Sequence, residues 1–352
     1  MKNETRQLLN EYYTQQAKLN NADFTGIRSG ESFSVDPSVQ QKLEDKIQQD
    51  DSFLGKINIV GVDEQEGEKL GLGISGPIAS TNSSTSKRRE PRTVQTLDDN
   101  KYRCEQTNSD TGIAYKQLDM WAKFPDFQAR ISNMIAKRKR LDRIMIGFNG
   151  TSHADPSDFD NNPLLQDVNI GWLQKYRVNA SKRVLSGITI TSRDTTGAIV
   201  KKGDYGNLDS VVQDMRTTLL DPWYIDDADL VVIVGRNLIN SREFPFVDTV
   251  SPSNPNSETL AAQLLLSQGR IGGVPYAIVP FVPDGTLFLT TYTNLSIYWQ
   301  LSSARRQYRD EPQYNRIATY SSVNDAYVIE DYGLGAVAEG ITWAGSEKSE
   351  SE

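Results

Sequence analysis

The sequence predicts an α+β fold in which a long helix and β-rich C-terminal strands form one body, a compact α/β unit forms a second, and a ribbon leaves both. Three stretches predict it. From position 125 to about 149, Phe127, Ile131, Ile135, Leu141, Ile144, Met145 and Phe148 recur at helical spacing, with Gly147 and Gly150 near the end. At 1.5 Å per residue that helix spans about 35 Å, longer than a typical globular helix. The run Leu230–Val234 is apolar throughout, as a strand covered on both faces must be. Between 57 and 117, strand-like Ile57–Val60 and Ile113–Tyr115 flank a Gly-rich stretch and a polar tract, a two-stranded excursion too thin to be stable alone in water.

The remaining elements follow in chain order. Leu8, Leu9, Tyr12, Tyr13 and Leu19 share one stripe of a short amphipathic helix, expected to stand apart from the body, and Asn20 to Asp23 with Gly26 and Gly30 break it. Asp36-Pro37 predicts the start of a second helix, an N-cap with proline at the first helical position, carrying Val39, Leu43 and Ile47. Both helices are too short to persist without a partner surface. Past the polar loop at 151–163, the segment 164–177 predicts a helix anchored by Leu165, Trp172 and Tyr176. In the α/β unit at 204–290, Leu208, Val211, Val212, Met215 and Leu219 form a helical stripe stopped at Asp221-Pro222. A helix from about Ser257 carries Leu260 and Leu264 and stops near Gly269, and Ile278-Val279 and Leu287–Leu289 supply strands. From Asn294 on the chain reads as β: Leu295–Trp299, Ile317–Tyr320, Tyr327–Ile329 and Ala336-Val337, then an acidic, solvated tail.

Composition removes most catalytic constellations. The 352 residues include one histidine, His153, and one cysteine, Cys104, so a His-rich metal site, a CxxC redox pair, a multi-Cys zinc cluster and an internal disulfide are all excluded. Carboxylates, hydroxyls, Lys and Tyr remain, and a structural role is the better expectation, with no catalytic, cofactor or metal residues assigned. A net charge of −8 argues against a dedicated nucleic-acid binder, which needs clustered positive charge. No window approaches 18 consecutive apolar residues and the amino terminus has no signal-peptide core, so a soluble intracellular protein with a reduced thiol is expected.

Each candidate motif has a plainer reading. Gly71, Gly73 and Gly76 spell GxGxxG, but Pro77 and a Ser/Thr/Asn tract follow where a dinucleotide site needs a helix; the glycines are expected to serve the ribbon's twist. Ser152, His153 and Asp155 are too close in sequence to build a triad, so His153 reads as a loop or interface residue. Cys104 on a strand reads as a small buried hydrophobe. Lys137 to Arg140 are expected on the solvated face of the long helix, and Lys87 to Arg89 at a loop tip. The aspartates of 155–160 and 226–229 lack the spacing of a calcium loop.

Several segments, taken in order, resemble one family: NETR (3–6), FLGKINIV (53–60), KYRCEQ (101–106), IMIGFNG (144–150), NPLLQDVNIGWLQKYR (162–177), DADLVVIVGRNLI (227–239), NLSIYWQ (294–300) and YVIEDY (327–332). The chain resembles the major capsid proteins of Peduovirus-type tailed phages, a branch of the Hong Kong 97-like capsid fold. The resemblance implies an N-terminal arm at 1–52, an extended E-loop at 53–117, and a peripheral domain at 118–203 carrying the long helix as its spine. It further implies an axial domain at 204–292, peripheral C-terminal strands at 293–343 and an acidic tail at 344–352.

It also implies a function: self-assembly into hexamers and pentamers of an icosahedral shell around double-stranded DNA, which is contacted nonspecifically. The implied partners are further copies of the chain, an internal scaffold-protease, a portal protein, and decoration or satellite size-determining proteins, with no membrane. Assembly belongs to the host bacterial cytoplasm and the product to the virion capsid. Expansion accompanies packaging, and residues 1 to about 31 are expected to be cleaved at Gly30, Glu31, Ser32 and Phe33. Lacking a matched Lys–Asn pair, the shell is expected to be noncovalent. The rivals are an encapsulin-like cellular compartment of the same fold, which should keep its N-terminal segment, and a carboxylate-dependent hydrolase, which should remain a small oligomer with a concave site.

Overall fold

The computed structural model describes residues 1–49, 53–69, 79, 81, 101–124, 126–193, 198–240 and 269–344. The GxGxxG glycines, Lys87 to Arg89, the helix expected from Ser257 and the acidic tail after 344 lie outside the described residues.

The chain begins with α1 (Asn3–Leu19), α2 (Phe24–Ser29), β1 (Phe33–Ser34) and α3 (Pro37–Gln49), followed by β2 (Asn58–Val62), β3 (Glu66–Glu68), β4 (Lys101–Arg103), β5 (Glu105–Asn108) and β6 (Thr111–Ala114). Next come α4 (Tyr115–Trp121), the 23-residue α5 (Phe127–Asn149) and α6 (Trp172–Asn179). The strands β7 (Val184–Ser186), β8 (Thr189–Ile190), β9 (Ser192–Arg193) and β10 (Ile199–Lys201) precede α7 (Leu208–Asp214), which runs on as a π turn through Leu219. The chain closes with β11 (Val231–Val234), β12 (Arg270–Ile271), β13 (Val274–Ile278), β14 (Leu287–Thr290), β15 (Leu295–Gln300), β16 (Arg305–Glu311), β17 (Arg316–Ile329), β18 (Ala336–Glu339) and β19 (Thr342–Trp343).

Two larger sheets carry the fold. The first centres on β17, with β15 and β16 along one edge, β5 and β6 along the other, β2 beside β15 and β1 beside β16. Trp299 faces Asp325 and Arg305 faces Ser322, so five residues of the edge span two of β17, and the bulge turns at Ser302 with φ +63°. The second sheet has the order β12-β13-β11-β14-β18-β7, with β11 parallel to β13 and antiparallel to β14. Alternate residues of β11 point to opposite cores: Val231 and Ile233 toward α6 and the first sheet, Val232 and Val234 toward α7.

Helix α6 joins the two bodies, with Tyr176 edge-on to Phe288 of β14 and, on the side of the first sheet, Trp172. The Trp172 ring is fully buried against Phe53, Phe148 and Tyr327, and its indole N–H donates to the carbonyl of Ser296 at 3.2 Å. Only glycine fits at 147, because a Cβ there would lie 2.3 Å from that ring.

Five expectations need correction. The helix expected over 164–177 begins only at Trp172, since Leu165 turns at φ +58°. Ile57–Val60 and Ile113-Ala114 do not pair with one another: β2 joins β15 and β6 joins β17, so the ends of segment 53–117 lie in the first sheet, and Tyr115 opens α4. Ala336-Val337, placed among the peripheral strands, joins β14 in the second sheet. The helix at 3–19 does not stand apart, because its apolar stripe is buried on the body. Lys139 and Arg140 turn partly inward rather than lying with Lys137 and Arg138 on the solvated face, because α5 is packed on both sides there.

Candidate assembly surfaces

Leu9, Tyr12, Tyr13 and Ala17 of α1 pack with Ile27 of α2 onto Ile113, Leu118, Phe127, Ile131, Tyr308 and Ile317. Tyr308 is the centre of this contact, 5.1 Å from the Tyr13 ring and 5.8 Å from the Tyr12 ring. Burial pushes the Tyr12 hydroxyl well above its ordinary pKa, with Tyr308 adding to the effect. Arg306 donates to the Gln16 side chain at 3.2 Å beneath the same helix.

The helix α2 is capped by Asp23, whose carboxylate accepts from the Gly26 N–H at 2.9 Å, and ends at Gly30 with φ +87°. The Gly30 carbonyl accepts from Gln307 at 2.6 Å, Glu31 and Ser32 are exposed, and half-buried Phe33 starts β1 opposite Arg306. Gly30, Glu31, Ser32 and Phe33 thus form the link between a docked helix pair and a sheet edge, exposed at Glu31 and Ser32.

Beneath α3 lies a buried charged network. Arg143 grips Glu44 with both guanidinium nitrogens, one contact at 3.1 Å. Fully buried Asp325 accepts from Thr107 at 2.6 Å and from Asn169 at 3.2 Å. Burial raises the Asp325 pKa, opposed by Arg143. Burial would lower the Arg143 pKa, but Glu44 outweighs it and holds the guanidinium charged. Lys139, which donates to Ser321 at 3.0 Å, is brought down to about 8 by burial, with Arg306 pushing the same way. Two carboxylates around one arginine invite the hydrolase reading. The cavity beside them is about 20 Å³, room for a water and not for a substrate.

Glu44 and Arg143 were assigned no role from the sequence, yet a signal was there: Gln40 and Glu44 share the stripe of Leu43 and Ile47, where a polar residue must find a buried partner.

The ribbon leaves the body as the β3–β4 pair. At its foot Tyr102 packs edge-on against Tyr298 at 5.0 Å, and Cys104 is completely buried, its thiol pushed up to about 12 by burial and by Asp325. Cys104 sits between β4 and β5 and stays a neutral thiol near neutral pH, a small hydrophobe rather than a nucleophile. A cleft of about 560 Å³ opens here between Glu66, Arg103, Glu105 and Lys175. Burial brings the Lys175 ammonium down to about 8, with Lys69 adding to the effect.

The triad-like loop residues do not assemble: the His153 ring meets the Val168 carbonyl at 2.7 Å and Glu105 at 3.7 Å. Asp158 accepts from the N–H groups of Asp160 and Asn161 in its own turn, and Asp226 pairs with Arg216 at 2.9 Å. No helix among the described residues is long and apolar enough to cross a membrane.

Comparison with known proteins agrees with this architecture. Residues 8–341 match the family described as phage major capsid protein, P2 family. The chain is 47% identical to the major capsid protein of Serratia phage KSP20, over 99% of both chains. It is 45% identical to the capsid proteins of Escherichia phage P2, over 97% of this chain and 95% of the other. Among solved structures, a chain of the satellite phage P4 procapsid, determined with its size determination (Sid) protein, superposes with a TM-score of 0.75 at 41% identity, covering 98% of this chain and 99% of that one. An α+β fold shared nearly end to end, with full-length identity well above chance, places this chain in the P2 family of phage major capsid proteins.

Proposed function

We propose that this subunit of a phage capsid shell is assembled on an internal scaffold-protease and a portal in the host cytoplasm, then cut near Gly30–Phe33 and expanded as double-stranded DNA is packaged. The single observation that carries this reading is the exposed Glu31-Ser32 link. Upstream is a helix pair docked through its apolar stripe, with the Lys2 N–H donating to Asp119 and the Gly30 carbonyl accepting from Gln307, whereas β1 and α3 downstream are tied into the sheet and the Glu44–Arg143 pair. A cut there separates two units without breaking a strand.

In the same reading the arm (1–52), E-loop (53–117), peripheral domain (118–203 and 293–343, apart from the β18 strand that joins the second sheet) and axial domain (204–292) divide the labour. The ribbon that starts at β3–β4 reaches a neighbouring subunit. Hexamers and pentamers form from the same surfaces at slightly different angles, and contacts stay noncovalent. The acidic balance of the chain keeps the wall from gripping packaged DNA, which it meets nonspecifically. Decoration or satellite size-determining proteins are further partners of such a shell.

Electron microscopy of the chain produced alone and with its scaffold-protease, with intact mass of the product, tests this. Closed shells whose subunit has lost about 31 residues are expected from the scheme above. Shells with an uncut subunit would favour an encapsulin-like compartment, and a small oligomer in both cases would refute shell assembly. Denaturing gels of mature particles should show single subunits; a ladder of multimers would refute the noncovalent shell.

A further inference from the structure

The two ends of helix α7 carry surfaces of opposite charge that one chain cannot bring together. Where the helix starts, β10 presents Ile199 and Val200, 56% and 68% exposed, beside exposed Lys201 and Lys202. Where its π turn ends, the loop 221–229 presents Trp223, 49% exposed and edge-on to Tyr224, beside Asp226, Asp227 and Asp229.

The helix and its π turn fix the separation. Tyr205, just ahead of α7, bridges to Ile190, next to β9 and its partner β10, whereas Asp221, just past the turn, pairs with Arg183 at the start of β7. The 12 residues Leu208–Leu219 therefore set the two patches at opposite ends of the unit. Asp226 is already paired to Arg216, but Asp227, Asp229, Lys201 and Lys202 form no ion pair among the described residues.

We infer that the basic apolar edge at Ile199–Lys202 of one copy docks on the acidic aromatic loop Trp223–Asp229 of a second copy. Each side offers an exposed apolar anchor flanked by charge, and the charges are complementary. Because the two patches sit at opposite ends of one body, the contact is head-to-tail, and repeated head-to-tail contacts close into rings. Trp223 is the anchor an interface of this kind concentrates its energy on. The inference rests on self-assembly into a shell, and on no property of the N-terminal arm or of processing.

Charge reversal tests it. K201E/K202E, and separately D227K/D229K, should each lower the yield of closed shells by roughly tenfold or more, read by sedimentation and electron microscopy. Combining all four reversals should restore assembly, which no loss of folding would do. A second measurement is independent of yield: in V200C/W223C shells, oxidation should give a ladder of disulfide-linked multimers, since Cys104 is buried out of reach. Single reversals that assemble like the parent, a quadruple variant no better than the doubles, or no ladder would each overturn the inference. If the parent chain itself made no shells, self-assembly would fall first; if the parent made shells and the reversals did not matter, only this contact would fall.

Discussion

The two sheets are built on opposite economies. The second is apolar through its thickness: β11, β14 and most of β18 are buried residue by residue. The first buries charge: Glu44, Arg143 and Asp325 lie within it or under α3, and its edge strand β16 reads Arg-Arg-Gln-Tyr-Arg-Asp-Glu. Polar contacts there join residues far apart in sequence, Arg143 to Glu44, Thr107 to Asp325, Arg306 to Gln16. Apolar burial supplies stability wherever surfaces meet, whereas a buried ion pair contributes little net stability but penalises every wrong pairing. The difference teaches that the body carrying the arm and ribbon is specified by polar matching, and the other by hydrophobic fit.

The largest effect should come at the joint. Trp172→Ala is expected to cost about 3–5 kcal/mol and to lower the unfolding of both bodies in one calorimetric transition. Two separated transitions would mean the sheets fold as independent units and would break the comparison. Arg143→Ala should cost about 3–5 kcal/mol by stranding buried Glu44, while Glu44→Leu with Arg143→Met should recover most of that loss. Denaturant midpoints of both variants check it; a double variant as damaged as the single would make the pair a source of net stability.

Lys139→Met should raise the melting temperature by a few degrees near pH 7. Its folded-state pKa of about 8 lies below the ordinary 10.5, so the cost of burying its charge is fully present below pH 8 and fades as pH rises toward 10.5. The gain over the parent chain should therefore narrow above pH 8, and a constant gain across that range would assign it to packing. In the apolar sheet, Ile233→Val should cost only about 0.5–1.5 kcal/mol with no pH dependence, a small uniform loss that marks hydrophobic fit.

Legibility followed the same division. The apolar strands β11, β14 and β15, the stripe of α7 and the span of α5 are readable because burial writes itself as hydrophobic runs or helical spacing. The strand β16 was not, since its charged residues mask the pattern while Arg306 reaches Gln16 and Glu311 pairs with Arg316, and local pattern cannot show such partners. Nor could β1 and β7 to β10, two or three residues each, rise above turn composition. The link at Gly30–Phe33 was singled out through family resemblance alone; periodicity gave only the break after the first helix and placed that helix apart, because the Tyr308 surface that holds it comes nearly 300 residues later.

Strand β17 has a mechanical consequence. At about 3.3 Å per residue its 14 residues run about 46 Å from the core beneath α1 to the core around Trp172, gripped along both margins by β15, β16, β5 and β6. Tension along such a strand loads its interstrand hydrogen bonds in parallel, so they must shear together instead of peeling one by one. A wall made of these subunits, pressed outward by its contents, would therefore yield first at the seams between neighbours and keep each subunit whole.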